Sequence, residues 1–203
     1  MKKLGFIGGG NMAEALIRGL VAHKLFKPAD LIASDVDANR RRRLARTFKI
    51  AVTENNLEVI KDARAVLIAV KPQQIDQVLR EIGSSGQRLK ERVFISIAAG
   101  IPLQRITDAL GPHARVIRVM PNAPAMVGRG MAAMVRAPGA SKADQAFALK
   151  IFKTVGDAVT IQDEAWLDGV TALSGSGPAY VYLFARALAD AATSEGIPRD
   201  LAL

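Results

Sequence analysis

The sequence predicts an α/β protein, with a doubly wound sheet over residues 1–162 followed by an all-helical stretch over residues 163–203. Three observations lead there. Short apolar runs alternate with amphipathic helical patterns, joined by short connections. The first run stops at three glycines, where a helical stripe begins at once. Beyond about residue 163, helical stripes alone remain.

Taken in order, Leu4, Phe6 and Ile7 mark a first strand, and Leu16, Ile17, Leu20 and Val21 mark one face of the following helix. Residues 31–34 read as a second strand, closed by Asp35 and Asp37. A short strand at 50–52 leads through a loop to a short helix. Residues 66–70 are uninterrupted apolar, as expected at the centre of a parallel sheet covered on both faces. Ile75, Val78, Leu79 and Ile82 form the next stripe. Strand 93–97, a helix carrying Leu103, Ile106 and Leu110, and strand 116–120 complete the alternation. Segments 130–135 and 159–161 extend the sheet around a helix at about 142–154. Residues 164–173 then read as a helix that breaks at 174–178, and a last helix runs from 179 to about 195. Its stripe of Tyr180, Leu183, Phe184, Ala187, Leu188 and Ala191 can face the sheet. Val181 and Tyr182 make the opposite side apolar too, which calls for burial against a partner subunit, further sequence, or both.

Composition narrows the class. Half of the 203 residues are apolar, enough for a sizeable core, and no cysteine is present for disulfides or thiolate metal sites. His23 and His113 lie far apart, so no metal site is expected. The Lys2-Lys3 start resembles a signal peptide only superficially, because Asn11, Glu14 and Arg18 interrupt the apolar segment. No run of 18 apolar residues suggests a membrane span, and a cytoplasmic location is expected. The net charge of +9 gathers partly in Arg40–Arg43 and Arg46. Few aromatics interleave with these arginines, so a solvated helix face or a cofactor-phosphate site outranks nucleic acid.

Gly8-x-Gly10-x-x-Ala13 has the strand–turn–helix context of a dinucleotide fingerprint. Gly8 permits a tight turn, Gly10 a close approach of backbone to pyrophosphate, and Ala13 close packing of helix on strand; free N–H groups at the helix start then face the phosphates. The sheet is therefore expected to be of Rossmann type, with its ligand beyond the carboxyl ends of the strands. At the end of the second strand the signals conflict. Asp35 and Asp37 suit the ribose 2′-hydroxyl of NADH, whereas Ser34 and the arginine run suit the 2′-phosphate of NADPH. The reading favours NADPH, with NADH as the alternative.

The segments Gly5-Phe6-Ile7-Gly8-Gly9-Gly10-Asn11-Met12-Ala13, Ala69-Val70-Lys71-Pro72, Ser96-Ile97-Ala98-Ala99-Gly100, Arg118-Val119-Met120-Pro121-Asn122 and Leu173-Ser174-Gly175-Ser176-Gly177-Pro178-Ala179-Tyr180 occur in this order along nearly the whole chain. Together they resemble the pyrroline-5-carboxylate reductases. The resemblance implies NAD(P)H-dependent reduction of the C=N bond of 1-pyrroline-5-carboxylate to L-proline, by a homodimer or larger homo-oligomer. It implies cofactor contacts from Gly8, Gly9, Gly10, Asn11, Met12, Ala69, Val70, Lys71 and Pro72. Ser34 and Asn56 are expected at the adenosine half, and Ala98, Ala99, Gly100, Pro121 and Asn122 at the nicotinamide half. Substrate contacts are expected from Ser174, Gly175, Ser176 and Gly177, whose N–H groups and hydroxyls suit a carboxylate, and from Glu164. No catalytic acid is assigned; Lys71 reads as electrostatic or structural.

Two departures stand out. Ala123 replaces a threonine usual in the family, and family members continue past Leu203 through helices bearing a Gly-Gly-Thr-Thr-like segment, so the helical region is expected to be incomplete. Two alternatives remain. One is a 3-hydroxyacid dehydrogenase of the 6-phosphogluconate type, disfavoured because no lysine follows Ser176. The other is a nucleotide-binding module without turnover.

Overall fold

The structure is a computed structural model, and it describes residues 1–202. Eight strands form one sheet: β1 (Lys2–Ile7), β2 (Leu31–Ser34), β3 (Ala51–Thr53), β4 (Ala63–Ile68), β5 (Val93–Ser96), β6 (Arg115–Pro121), β7 (Gly130–Arg136) and β8 (Gly156–Thr160). Their order is β3-β2-β1-β4-β5-β6-β7-β8. The first six are parallel, β7 runs antiparallel to β6, and β8 is parallel to β7. The chain reverses its direction of travel between β1 and β4, and a doubly wound sheet opens its ligand crevice at such a switch point.

The alternation of side chains explains the two layers. Leu4 and Phe6 of β1, Leu31 and Ala33 of β2, and Ala65 and Leu67 of β4 join one core. Ile7, Ile32, Val66 and Ile68 join the other. Helices α1 (Asn11–Ala22), α2 (Ala38–Phe48) and, further along, α6 (Lys142–Phe152) feed the first. Helices α3 (Asn56–Asp62), α4 (Ile75–Gly83) and α5 (Leu103–Leu110) feed the second. Helix α6 starts in a reciprocal cap: Ser141 Oγ accepts the Asp144 N–H, and Asp144 Oδ2 accepts the Ser141 N–H. Arg115 closes this cap by donating from Nε to Asp144 Oδ2 at 3.0 Å.

The strands expected at 66–70 and 159–161 are shifted, to Ala63–Ile68 and Gly156–Thr160. A larger difference lies beyond the sheet. The helix expected over 164–173 is α7 (Trp166–Val170), and the chain does not break after it. Residues Thr171–Gly175 form one π-helical turn that runs into α8 (Gly177–Ser194), followed by the short α9 (Arg199–Ala202). Ser176 N–H donates to the Thr171 carbonyl at 2.8 Å, five residues back. The glycines and serines thus accommodate a wide turn instead of ending the helix, a feature often found at functional sites.

The expectation that one face of α8 packs on the sheet is also corrected. Among its described residues only Ala189 is buried, while Tyr180, Leu183 and Phe184 are 63%, 68% and 66% exposed. Its main neighbours are α9 and the π turn. Among the described residues, no helix is long and apolar enough to cross a membrane, and no group of three or more histidine, cysteine or acidic side chains could hold a metal ion.

Candidate functional site

The site is the carboxyl edge of the parallel strands. At the switch point, Gly8 adopts φ +96°, and a Cβ there would lie 2.7 Å from the Ala69 carbonyl oxygen, so only glycine lets β1 turn beside β4. Gly8 N–H donates to the Ser34 carbonyl at 2.9 Å, and Ala69 N–H to the Ile7 carbonyl at 2.7 Å. Gly10 caps α1 without any side-chain hydrogen bond. The first intrahelical bond runs from Glu14 N–H to the Gly10 carbonyl. The N–H groups of Asn11, Met12 and Ala13 therefore lack intrahelical partners and point out of the helix start. A Cβ on Gly10 would meet nothing within 4 Å. An uncapped helix start beside open space fits a pyrophosphate.

The edge also carries residues 69–72, with Lys71 and Pro72 exposed, and residues 98–100, where Ala98 is buried and Gly100 adopts φ +71°. Pro121 ends β6, and Asn122 follows it. Asn122 is buried and ties two segments: its Oδ1 accepts the Met131 N–H at 2.8 Å, and its Nδ2 donates to the Ser174 carbonyl at 2.9 Å. This brings the π turn against the carboxyl end of β6. Gly175 sits against Met120, whose Cε would lie 2.9 Å from an added Cβ. Ser174, Gly175, Ser176 and Gly177 are all half-buried there. Because Ser176 N–H is already bonded and Ser174 Oγ donates to the Val170 carbonyl at 3.2 Å, this turn has fewer free donors than a broken helix would offer.

At the carboxyl end of β2 the side chains are largely satisfied by one another. Ser34 is fully buried, and its hydroxyl donates to Asn56 Oδ1 at 2.7 Å; Asn56 Nδ2 donates in turn to Glu81 Oε2 at 2.8 Å. Asp35 is buried too, accepting the Gly9 N–H and the Asp37 N–H, each at 2.8 Å. The arginine run folds back onto acids and carbonyls. Arg40 lies 3.5 Å from Asp35 and 3.8 Å from Asp37. Arg41 donates to the Asp35 carbonyl at 2.7 Å and to Glu54 at 3.2 Å. Arg42 contacts Asn39, and Arg43 pairs with Glu14 at 3.0 Å. The stretch that looks like a bare cationic patch in the sequence is mostly an internally paired helix face.

Glu164 has a role that spacing could not reveal. Its Oε1 accepts from Arg118 Nη1 and from the Leu103 N–H, both at 2.7 Å. It therefore caps α5, a helix remote in sequence, instead of its own. Arg118 escaped the sequence reading as a site residue because an arginine in an apolar strand has no local signature. His23 and His113 are exposed, as expected of surface histidines.

Fold and site together define a dinucleotide-dependent oxidoreductase. The family model described as "NADP oxidoreductase coenzyme F420-dependent" matches residues 3–100, and that described as "Pyrroline-5-carboxylate reductase dimerisation" matches residues 164–203. A pyrroline-5-carboxylate reductase from Synechocystis is 41% identical over 200 residues, covering 98% of this chain and 73% of the relative. The structure of a Coxiella burnetii pyrroline-5-carboxylate reductase superposes with a TM-score of 0.89 at 31% identity, covering 99% and 74% of the two chains. A Plasmodium falciparum pyrroline carboxylate reductase solved with NADP bound gives 0.87 at 30% identity, over 99% and 72%. The chain belongs to the pyrroline-5-carboxylate reductase family.

Proposed function

We propose that this chain catalyses the NAD(P)H-dependent reduction of 1-pyrroline-5-carboxylate to L-proline, as a homodimer or larger homo-oligomer in the cytoplasm. Residues 1–162 are the dinucleotide-binding domain, and residues 163–203 belong to the dimerisation and substrate region. The carrying observation is the convergence of the uncapped α1 start and the 174–177 turn on one sheet edge, in a chain 41% identical to a relative bearing that name.

When bound, the reduced nicotinamide would supply the hydride for the C=N carbon of a substrate whose ring nitrogen is protonated as the iminium, so that the product is the amine. The chain's own residues bind and orient. Gly8, Gly9, Gly10, Asn11 and Met12, with Ala69, Val70, Lys71 and Pro72, hold the pyrophosphate side. Asn56 lies on the adenosine side, with Ser34 acting through it. Arg40 is the guanidinium best placed for a 2′-phosphate, which would have to draw it from Asp35 and Asp37. NADPH and NADH therefore both fit. Ala98, Ala99, Gly100, Pro121 and Asn122 line the nicotinamide side. Ser174, Gly175, Ser176 and Gly177 receive the substrate carboxylate, while Glu164 supports them through Arg118.

Turnover tests the reading. NADPH oxidation should follow addition of 1-pyrroline-5-carboxylate, and NADP+ reduction should not follow addition of 6-phosphogluconate. Turnover of the latter alone, or of neither, contradicts it. Gly10→Val sharpens the test, because the folded chain has room for the side chain at φ −72°. The variant should keep its thermal midpoint and lose NADPH binding in a fluorescence titration. Unchanged affinity would remove the nucleotide site from this loop.

A further inference from the structure

We propose that Arg118 and Glu164 are a positioning pair, which sets the placement of the substrate turn against the nicotinamide side of the cofactor edge. This rests on the function proposed above.

One atom, Glu164 Oε1, joins three segments. It accepts from Leu103 N–H, three residues beyond Gly100, and from Arg118, four residues before Asn122. Glu164 itself precedes α7 and so leads directly into the π turn. The two cofactor-facing loops of the nicotinamide side and the entry to the substrate turn thus meet at a single carboxylate oxygen. Asn122 supplies the second fixed point by holding the Ser174 carbonyl, and the Gly175–Met120 contact supplies the third. Three attachments restrain the turn more tightly than any one of them would.

The pairing has to be strong, because Arg118 is only 7% exposed. A guanidinium that deep cannot shed its charge, so it needs an opposing carboxylate with good geometry. The other acid within reach, Asp168, stands 4.0 Å away with an exposed side chain and cannot replace Glu164. Stability alone does not require such an arrangement, since a buried ion pair is often no better than apolar packing of similar volume. Geometry does require it. Hydride transfer needs the donor and acceptor carbons about 3–3.5 Å apart, and a displacement of roughly 1 Å can cost about 100-fold. The pair acts through the elements it joins and need not touch the substrate.

The experiment compares the wild-type chain with Glu164→Gln, Arg118→Lys, Arg118→Met and the double variant Arg118→Met/Glu164→Gln. It measures kcat and KM with 1-pyrroline-5-carboxylate and NADPH, and NADPH binding by fluorescence. Glu164→Gln keeps an acceptor for Leu103 N–H but loses the charge facing Arg118. Its kcat should fall about tenfold or more, with NADPH affinity changed less than about twofold, since the α1 start is untouched. The double variant should be little worse than the poorer single variant, because the two residues act as one unit. Arg118→Lys, which keeps the charge and the fold, should retain more activity than Arg118→Met, and it serves as the probe should Arg118→Met not fold. An unchanged kcat in Glu164→Gln and Arg118→Lys would overturn the proposal. So would a raised KM for the imino acid at constant kcat, which would make Glu164 a direct substrate ligand. A wild-type chain without turnover would instead overturn the function itself.

Discussion

Strand β1 and helix α8 are both apolar, and their surroundings are opposite. Leu4, Phe6 and Ile7 lie between two helical layers with essentially no exposed surface. Along α8, Tyr180, Val181, Tyr182, Leu183, Phe184 and Leu188 all face outward. The hydrophobic surface of the sheet is matched within the chain, whereas that of α8 is left unmatched. Similar side chains therefore do two jobs: in the sheet they hold the cofactor edge in shape, and on α8 they offer a surface for a second copy. Residues 164–203 match the dimerisation model, and that match and the exposed helix come from independent observations.

Truncating a core residue should give the largest effect. Phe94 is fully buried at the centre of the sheet, so Phe94→Ala should cost about 3–5 kcal/mol of unfolding free energy. Denaturant unfolding should register that loss at any protein concentration. Phe184→Ala should behave differently. The side chain is 66% exposed within one chain, so the stability of the monomer should change little. Self-association should weaken by about 1.5–3 kcal/mol for each copy of the side chain that the dimer buries. If Phe184→Ala lowers stability without changing association, the distinction between the two regions collapses.

A smaller effect probes the sheet side alone. Burial works to raise the Asp144 carboxyl, but hydrogen bonds from Arg115 and Ser141 outweigh it and hold the group below the usual carboxylate range. The folded state therefore favours the ionised form, and the resulting stability is present above the unfolded value of about 3.9 and lost as pH falls through the folded one. Asp144→Asn should be about 2 kcal/mol less stable at pH 7. The gap to wild type should begin to close as pH falls below about 5 and should go on closing until the folded Asp144 carboxylate has taken up its proton. A gap independent of pH would mean that the Asp144 charge does not matter.

The contrast between regions also explains what could be read from the sequence. Strands β1, β2, β4, β5 and β6 announce themselves as apolar runs, and the Gly8–Gly10 loop and the Arg118–Asn122 segment fall at one edge once the strands are parallel. Such local signals suffice because the sheet buries its own side chains. The 174–178 stretch is deceptive for the converse reason. Glycine, serine and proline signal a break in isolation, yet here the turn is held by Asn122, and Gly175 gives way to Met120. Both partners are more than 50 residues away in sequence. Glu164 and the arginine run were similarly ambiguous: their partners, Leu103 and Arg118 for one, Asp35, Glu54 and Glu14 for the other, are set by tertiary placement. Helix α8 shows the same limit in another form. Its two-sided apolar character was legible, but the exposure of both sides was not.

The most direct test of the account joins association to turnover. Sedimentation equilibrium of the wild-type chain is run across nanomolar to micromolar concentrations, with specific activity measured on the same samples. The account predicts a dimer or a larger assembly of dimers at micromolar concentration, with specific activity falling on dilution as subunits separate and α8 loses its cover. A monodisperse monomer with the same specific activity at every concentration would contradict it.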